Sequence, residues 1–221
     1  MKQLNKNMLH DLLAQGSLDR VAGVAMRQRR VLGILVSLTY DPDPLISWRA
    51  VEAMGLACDR IADKDPECVR QHVRRLYWLI TEESGGICWR APEAMAEVVH
   101  RRPQLLPDYL PIIVFLLREM AEEDLEHFRA GILWAIGRLG PECSDHLPDV
   151  LDAIAAALDH SDSQVRGMAI WCLSAVGQGE CVTARPDLLS DDGPVDLYEE
   201  RRLVHTNVNS LARRAVDCAS G

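Results

Sequence analysis

Apolar side chains recur along this chain at the three-and-four spacing of amphipathic helices, and one such stretch returns about every forty residues. Four segments align without gaps: Trp48-Arg49-Ala50-Val51-Glu52-Ala53-Met54, Trp89-Arg90-Ala91-Pro92-Glu93-Ala94-Met95, Phe128-Arg129-Ala130-Gly131-Ile132-Leu133-Trp134 and Val165-Arg166-Gly167-Met168-Ala169-Ile170-Trp171. The residue before each arginine is apolar (Trp48, Trp89, Phe128, Val165), and the residue after it is small (Ala50, Ala91, Ala130, Gly167). Five positions on stands a large apolar residue (Met54, Met95, Trp134, Trp171), and the next is small again (Gly55, Ala96, Ala135, Cys172). Small residues let neighbouring helices approach while bulky ones fill the space beside them, so these columns predict stacked helices. A register shifted by two between the halves is also open: it sets Gly55 opposite Gly137 and Ser47 opposite Arg129.

Between these segments a second apolar helix pattern appears each time, over 66–81, 108–120 and 147–158, with 26–39 before the first. The unit is therefore a helical hairpin. Breakers end the helices at Asp41-Pro42-Asp43-Pro44, Ser84-Gly85-Gly86, Glu122-Glu123-Asp124 and His160-Ser161-Asp162-Ser163. Most of them offer side-chain oxygens to the bare amides of the next helix. At the ends, 4–14 and 18–25 read as short helices able to cover the apolar face of a terminal unit. The Gly-, Pro- and Asp-rich stretch 177–194 reads as a loop, and 195–204 and 208–218 read as closing helices. No strand is expected.

The chain resembles the HEAT repeat family, whose units carry an Asp-rich turn, an apolar residue followed by Arg, and a small-residue helix often ending in Gly. The fourth unit carries the likeness through Asp162-Ser163-Gln164-Val165-Arg166, and the first through Asp41-Pro42-Asp43-Pro44 and Val51-Glu52-Ala53-Met54-Gly55. The first unit departs at Ser47, where the shifted register would place the family's Arg. The likeness runs over 26–178 and implies an all-α fold, an α-α superhelix. That is a HEAT-like solenoid of about four helical hairpins with capping helices. The implied organisation is a single domain over 1–221. It has an N-terminal cap at 1–25, repeats at 26–62, 66–102, 107–140 and 146–178, and a loop with a C-terminal cap at 179–221. In that family the repeated Asp and Arg pair between neighbouring units, and the second helices line a concave surface where partners bind. The resemblance makes Arg129 and Arg166 ladder residues, and Arg49 and Arg90 too in the gap-free register.

Composition narrows the function. Of 221 residues 48% are hydrophobic and 26% charged, which fits a packed, helix-rich domain. A net charge of -9 disfavours a broad phosphate-binding surface, which needs clustered Lys and Arg. Local basic groups exist at Arg27, Arg29 and Arg30, at Arg70, Arg74 and Arg75, and at Arg201 and Arg202, each in a helical pattern whose plain reading is a solvated face. The seven cysteines show no CxxC or zinc-knuckle spacing and read as reduced thiols, with Cys58, Cys88 and Cys172 in or beside packing columns. The first residues are too polar for a signal-peptide core, and the longest apolar runs fall well short of the roughly 18 residues that span a bilayer. A cytoplasmic location is the expectation.

The seven histidines show no recognised ligand spacing, and no G-x-S-x-G or Walker loop appears. Neither a catalytic residue, a metal site nor a cofactor is therefore expected. Two polar features stand out. One is the turn 81–93, where Glu82 and Glu83 precede Gly85 and Gly86 and a helix start follows; it reads as a tight turn, or as a close approach for a ligand. The other is the pair Arg49 with Glu52, repeated as Arg90 with Glu93, three apart on one helix and missing from units three and four. Arg49, Glu52, Glu82, Glu83, Arg90 and Glu93 are the candidate protein-binding residues. The expected function is a non-catalytic protein-binding scaffold or adaptor using the concave face, with a protein partner of unknown identity. The resemblance also admits a HEAT-like DNA alkylation repair or nucleic-acid-binding protein, against which the acidic balance speaks, and a bilin lyase-like tetrapyrrole-binding protein.

Overall fold

Helix starts are fixed where a side chain can take over the amides that a first turn leaves bare. In the computed structural model, which describes residues 5–80, 90–122 and 126–219, Asp43 accepts from Leu45 N and Asp162 from Gln164 N, both at 2.9 Å. Each aspartate opens the second helix of a hairpin.

The chain divides into two bodies. The first, residues 1–107 with 200–203, contains α1 (Lys6–Ala14), α2 (Leu18–Ala25), α3 (Arg30–Leu38), α4 (Pro44–Ala62), α5 (Pro66–Ile80) and α6 (Ala91–Arg101). Helix α3 packs on α4 and α5 on α6, while α4 also lies against α2 and α6, so the second helices form a row with α4 in its middle. The core between the layers is aliphatic and fully buried at Leu35, Leu38, Met54, Ile61, Leu76 and Met95. The long α4 has a buried side broad enough for five neighbours, α1, α2, α3, α5 and α6, because Ala50, Ala53, Ala57 and Cys58 cover much of it.

The second body, residues 108–199 with 204–221, holds α7 (Tyr109–Glu122), α8 (Arg129–Leu139), a 3-10 stretch Gly140–Asp149 and α9 (Leu151–Ala156). Then come α10 (Ser163–Ala175), α11 (Glu180–Thr183), a 3-10 turn Pro186–Ser190, β1 (Pro194–Glu199), β2 (Arg202–Asn207), which belongs to this body from Val204 on, and α12 (Val208–Ala219). Helix α7 packs on α8, and α9 with the following 157–159 turn packs on α10. The row here is α8, α10, α12. The helix expected over 147–158 is cut at its start because Pro148 has no amide to give and disfavours α backbone before it, so the α-helical part begins at Leu151.

The caps resolve the register left open by the sequence. Four residues after its cap, α4 carries Ser47 and α10 carries Arg166, which is the shifted alignment. The two side chains do the same work: Ser47 Oγ donates to Thr39 O (2.7 Å), and Arg166 Nη1 donates to His160 O (2.7 Å) and Ser161 O (3.0 Å). Each ties the first turn of a second helix to backbone at or just before its hairpin turn.

Residues 195–204, expected to be helical, form a two-stranded hairpin instead. The alternation was short but present: Val195 and Leu197 are buried and Asp196 between them is exposed. Val195 lies over Gly167, where an added Cβ would come within 2.5 Å of it, and Trp134 Nε1 donates to Tyr198 O at 3.1 Å. The free edge of β1 is satisfied by the first turn of α10: Gln164 Nε2 donates to Asp196 O (2.9 Å) and its Oε1 accepts from Asp196 N (2.8 Å). Glu200 and Arg201 make the turn with positive φ of 48° and 64°, a conformation that glycine or asparagine usually supplies. Arg201 therefore lies at a hairpin turn and not on a helix face.

Second helices meet where a side chain is missing. A Cβ on Gly55 would stand 2.6 Å from Glu97 Cγ, and one on Gly137 would overlap the Trp171 ring, whereas one on the exposed Gly33 meets no described residue within 4 Å. Replacement by Ala is expected to cost about 1–3 kcal/mol at Gly55 and at Gly137 and to add about 0.5–1 kcal/mol of stability at Gly33, read by urea denaturation. Burial, aided by the nearby Arg75 charge, lowers the His72 imidazole from 6.5 to about 4. Protonation thus opposes folding: this contribution is complete above the unfolded value and drains as the pH falls toward 4, by about 3 kcal/mol. Denaturation midpoints of His72→Leu at neutral and acidic pH should show that slope removed.

Candidate functional site

Polar residues gather on one side of α4 and along α6: Arg49, Glu52, Asp59 and Arg60 on the first, and, three and four apart, Arg90 at the N-cap of the second followed by Glu93, Glu97 and Arg101 on it. Because Gly55 has no side chain, the α6 backbone at Glu97 lies directly on α4, and charges from the two stripes come within reach of each other. They form a series of alternating sign. Glu97 accepts from Arg101 Nε at 2.7 Å, and Arg101 stands 3.9 Å from Glu52. Glu52 meets Arg201 at 3.1 Å, Arg201 meets Asp19 at 3.3 Å, and Asp19 meets Arg60 at 2.6 Å. The inner members are shielded and the outer ones wet, with side-chain exposure rising from 2% at Glu97 to 57% at Asp19. Inner links are thus electrostatically the stronger and outer ones the more screened by salt.

At the start of α6, Arg90 serves three groups. Its Nε donates to Ser47 Oγ (2.6 Å), its Nη1 donates to Glu93 Oε1 (3.2 Å), and its guanidinium lies 4.1 Å over the Trp48 ring. Glu93 is 2% exposed, and its Oε2 has no hydrogen-bond partner among the described residues. Burial pushes its carboxyl above the ordinary range, while the Arg90 charge and hydrogen bond pull it back. Arg49 caps a helix: its Nη1 donates to Leu13 O (2.8 Å) and Ala14 O (2.9 Å), the last carbonyls of α1.

Four of the candidate residues, Arg49, Glu52, Arg90 and Glu93, are thus brought to one row of second helices. Arg90 and Glu93 form an ion pair; Arg49 and Glu52 turn to different partners. Glu82 and Glu83, with Gly85, Gly86, Cys88 and Trp89, lie outside the described residues. Glu97, Arg101, Asp19, Arg60 and Arg201 were not singled out as a site. The four-residue spacing of Glu97 and Arg101 was a readable signal, but nothing local linked Arg201 to Glu52, 149 positions away. Three thiols are set for packing: burial pushes those of Cys58 and Cys172 far up, and that of Cys143 up to about 11. In the second body, Arg166 forks onto both oxygens of Asp191 (2.7 and 3.0 Å), holding that carboxyl below its usual range. No helix among the described residues is long and apolar enough to cross a membrane.

Residues 126–176 match the HEAT-like repeat family, a stretch that holds α8, α9 and α10. An uncharacterized protein of Archaeoglobus fulgidus is 25% identical over 179 residues, covering 80% of this chain and 91% of that protein. Among solved structures, the chain is similar to a designed armadillo repeat protein, with a TM-score of 0.48 and 16% identity over 98% of this chain and 95% of that one. It is also similar to the archaeal HEAT-like repeats protein from Thermococcus onnurineus NA1, with a TM-score of 0.38 and 14% identity over 100% and 98%.

Arg90→Ala would leave the Glu93 carboxylate buried without its cation. The expected loss is about 3 kcal/mol near pH 7, shrinking as the pH falls because a neutral Glu93 no longer needs the charge. Chemical denaturation of both proteins across that range checks the direction; a loss that stays constant with pH would show that Arg90 acts through packing on Trp48 alone.

Proposed function

We propose that this HEAT-like repeat protein is a non-catalytic scaffold that holds a protein partner on the face of its second helices. The observation that supports this reading most is the ordering of charge on α4 and α6. Interfaces lose affinity when long side chains must be immobilised on binding, so charges already held in fixed pairs favour association. Arg49, Glu52, Arg90 and Glu93 are in this reading the residues that shape the surface, since each is tied to its own chain. Asp19, Arg60 and Arg201, with side chains 57%, 39% and 44% exposed, are the ones positioned to meet a partner. Their alternating sign selects by complementarity more than by strength, because wrong partners would bring like charges together. A repeat row suits this task, as each hairpin adds surface while touching only its neighbours.

The test is affinity capture with the intact protein as bait, read by quantitative mass spectrometry and repeated with Arg60→Glu and Arg201→Glu after circular dichroism confirms their fold. A specific protein retained by the parent and lost from both variants is the expected result. Capture of nothing above background, or of the same set by all three baits, would remove the proposal.

A further inference from the structure

The three arginine groups legible in the sequence meet different fates. Arg29 donates from Nη1 to Ala25 O and Met26 O, at 2.9 Å each, and closes α2. Arg201 is taken into the charge series through Glu52 and Asp19. The third group stays on the surface of α5. That helix turns Val69, His72, Val73, Leu76 and Ile80 to the core, and its outer side carries Glu67, Arg70, Gln71, Arg74, Arg75 and Trp78, all exposed.

Helical spacing stacks Arg70, Arg74 and Trp78 one turn above another, with Arg75 beside them. Trp78 is 57% exposed although tryptophan is on average a well-buried side chain. Arg70 stands 3.8 Å from Glu67, while Arg74 and Arg75 make no ion pair or hydrogen bond with any described residue. On a chain of net charge -9, whose other arginines are largely consumed by carboxylates and helix ends, this is a positive face with an aromatic at its edge.

We propose that the outer face of α5 is a docking surface for an acidic peptide segment bearing a large apolar side chain. Carboxylates of the segment take Arg70, Arg74 and Arg75, whose planar forks match them two oxygens at a time. The apolar side chain lies on the indole of Trp78. Arg and Trp dominate binding energy at interfaces, Trp because it gives much contact area at small conformational cost and Arg because its planar fork is pre-organised for carboxylates, and here both stand on one helix. A nucleic acid fits less well: its charge repeats every few ångströms, and a chain of net charge -9 offers it little clustered positive charge beyond the length of one helix. This surface lies on the first helix of its hairpin and stands independently of the second-helix face.

The experiment selects peptides from a displayed random library on the intact protein and measures the enriched sequences, fluorescently labelled, by anisotropy. Expected are sequences of net negative charge with an aromatic or leucine residue, weakened about tenfold or more by Arg74→Glu with Arg75→Glu and clearly weakened by Trp78→Ala. Affinity should fall with added salt, less steeply once the arginines are gone. All these positions are exposed, and circular dichroism of each variant shows whether its fold is kept. Enrichment of neutral or basic peptides, equal binding by the variants, or no enrichment would overturn the proposal. So would tighter binding of a labelled single-stranded oligonucleotide than of the selected peptides.

Discussion

Two helices can share a charge network only if their backbones come close, and that approach depends on the absence of a side chain at Gly55. There the α6 backbone and the stem of Glu97 occupy the space a Cβ would need. Interaxial distance between helices is set by the residues at the crossing, so one methyl group there would part α4 from α6 and lengthen every ion pair between them. The Arg101–Glu52 contact, at 3.9 Å already the longest link of the series, is the first that would open. The second body uses the same device with an apolar load: Trp171 fills the place beside Gly137 and stacks on Trp134 with centroids 5.9 Å apart. One steric rule thus supports a polar crossing in one body and an aromatic crossing in the other.

Much of this was legible because packing leaves a periodic trace. The large and small columns are buried at Met54, Met95, Trp134, Ala96, Ala135 and Cys172, and the aspartates at the breakers cap the helices that follow them. The register was not legible, since the columns tolerate a shift of two and only the caps distinguish the alternatives. The hairpin at 194–207 was missed for a different reason: its burial alternates over few residues, and the partners that fix it, Gly167, Gln164 and Trp134, are distant in sequence. The candidate site was legible in part. Arg90 and Glu93 pair within one helix, which spacing can predict; Arg49 and Glu52 share that spacing but are claimed by α1 and by Arg101 and Arg201, which spacing cannot reveal.

The choice of cation carries the argument a step further. Of the 24 basic residues only Lys2, Lys6 and Lys64 are lysine. Arginine presents several donors in a fixed plane, so one side chain can bind two acceptors at once, whereas an ammonium is a compact and strongly hydrated point charge. Double engagement is the rule here. Arg49 takes two carbonyls of α1, Arg102 takes Asp59 of α4 and Asp63 just past its end, Arg166 takes Asp191 and the backbone at 160–161, and Arg185 takes Asp159 and Asp187. The surface members of this set each contribute little to stability. Their value is geometric, since each fixes the angle between two elements that apolar packing alone would let slide. A chain that spends its arginines as cross-links has few left over, which is why a helix that keeps Arg74 and Arg75 in water beside an exposed tryptophan stands apart from the rest of the fold.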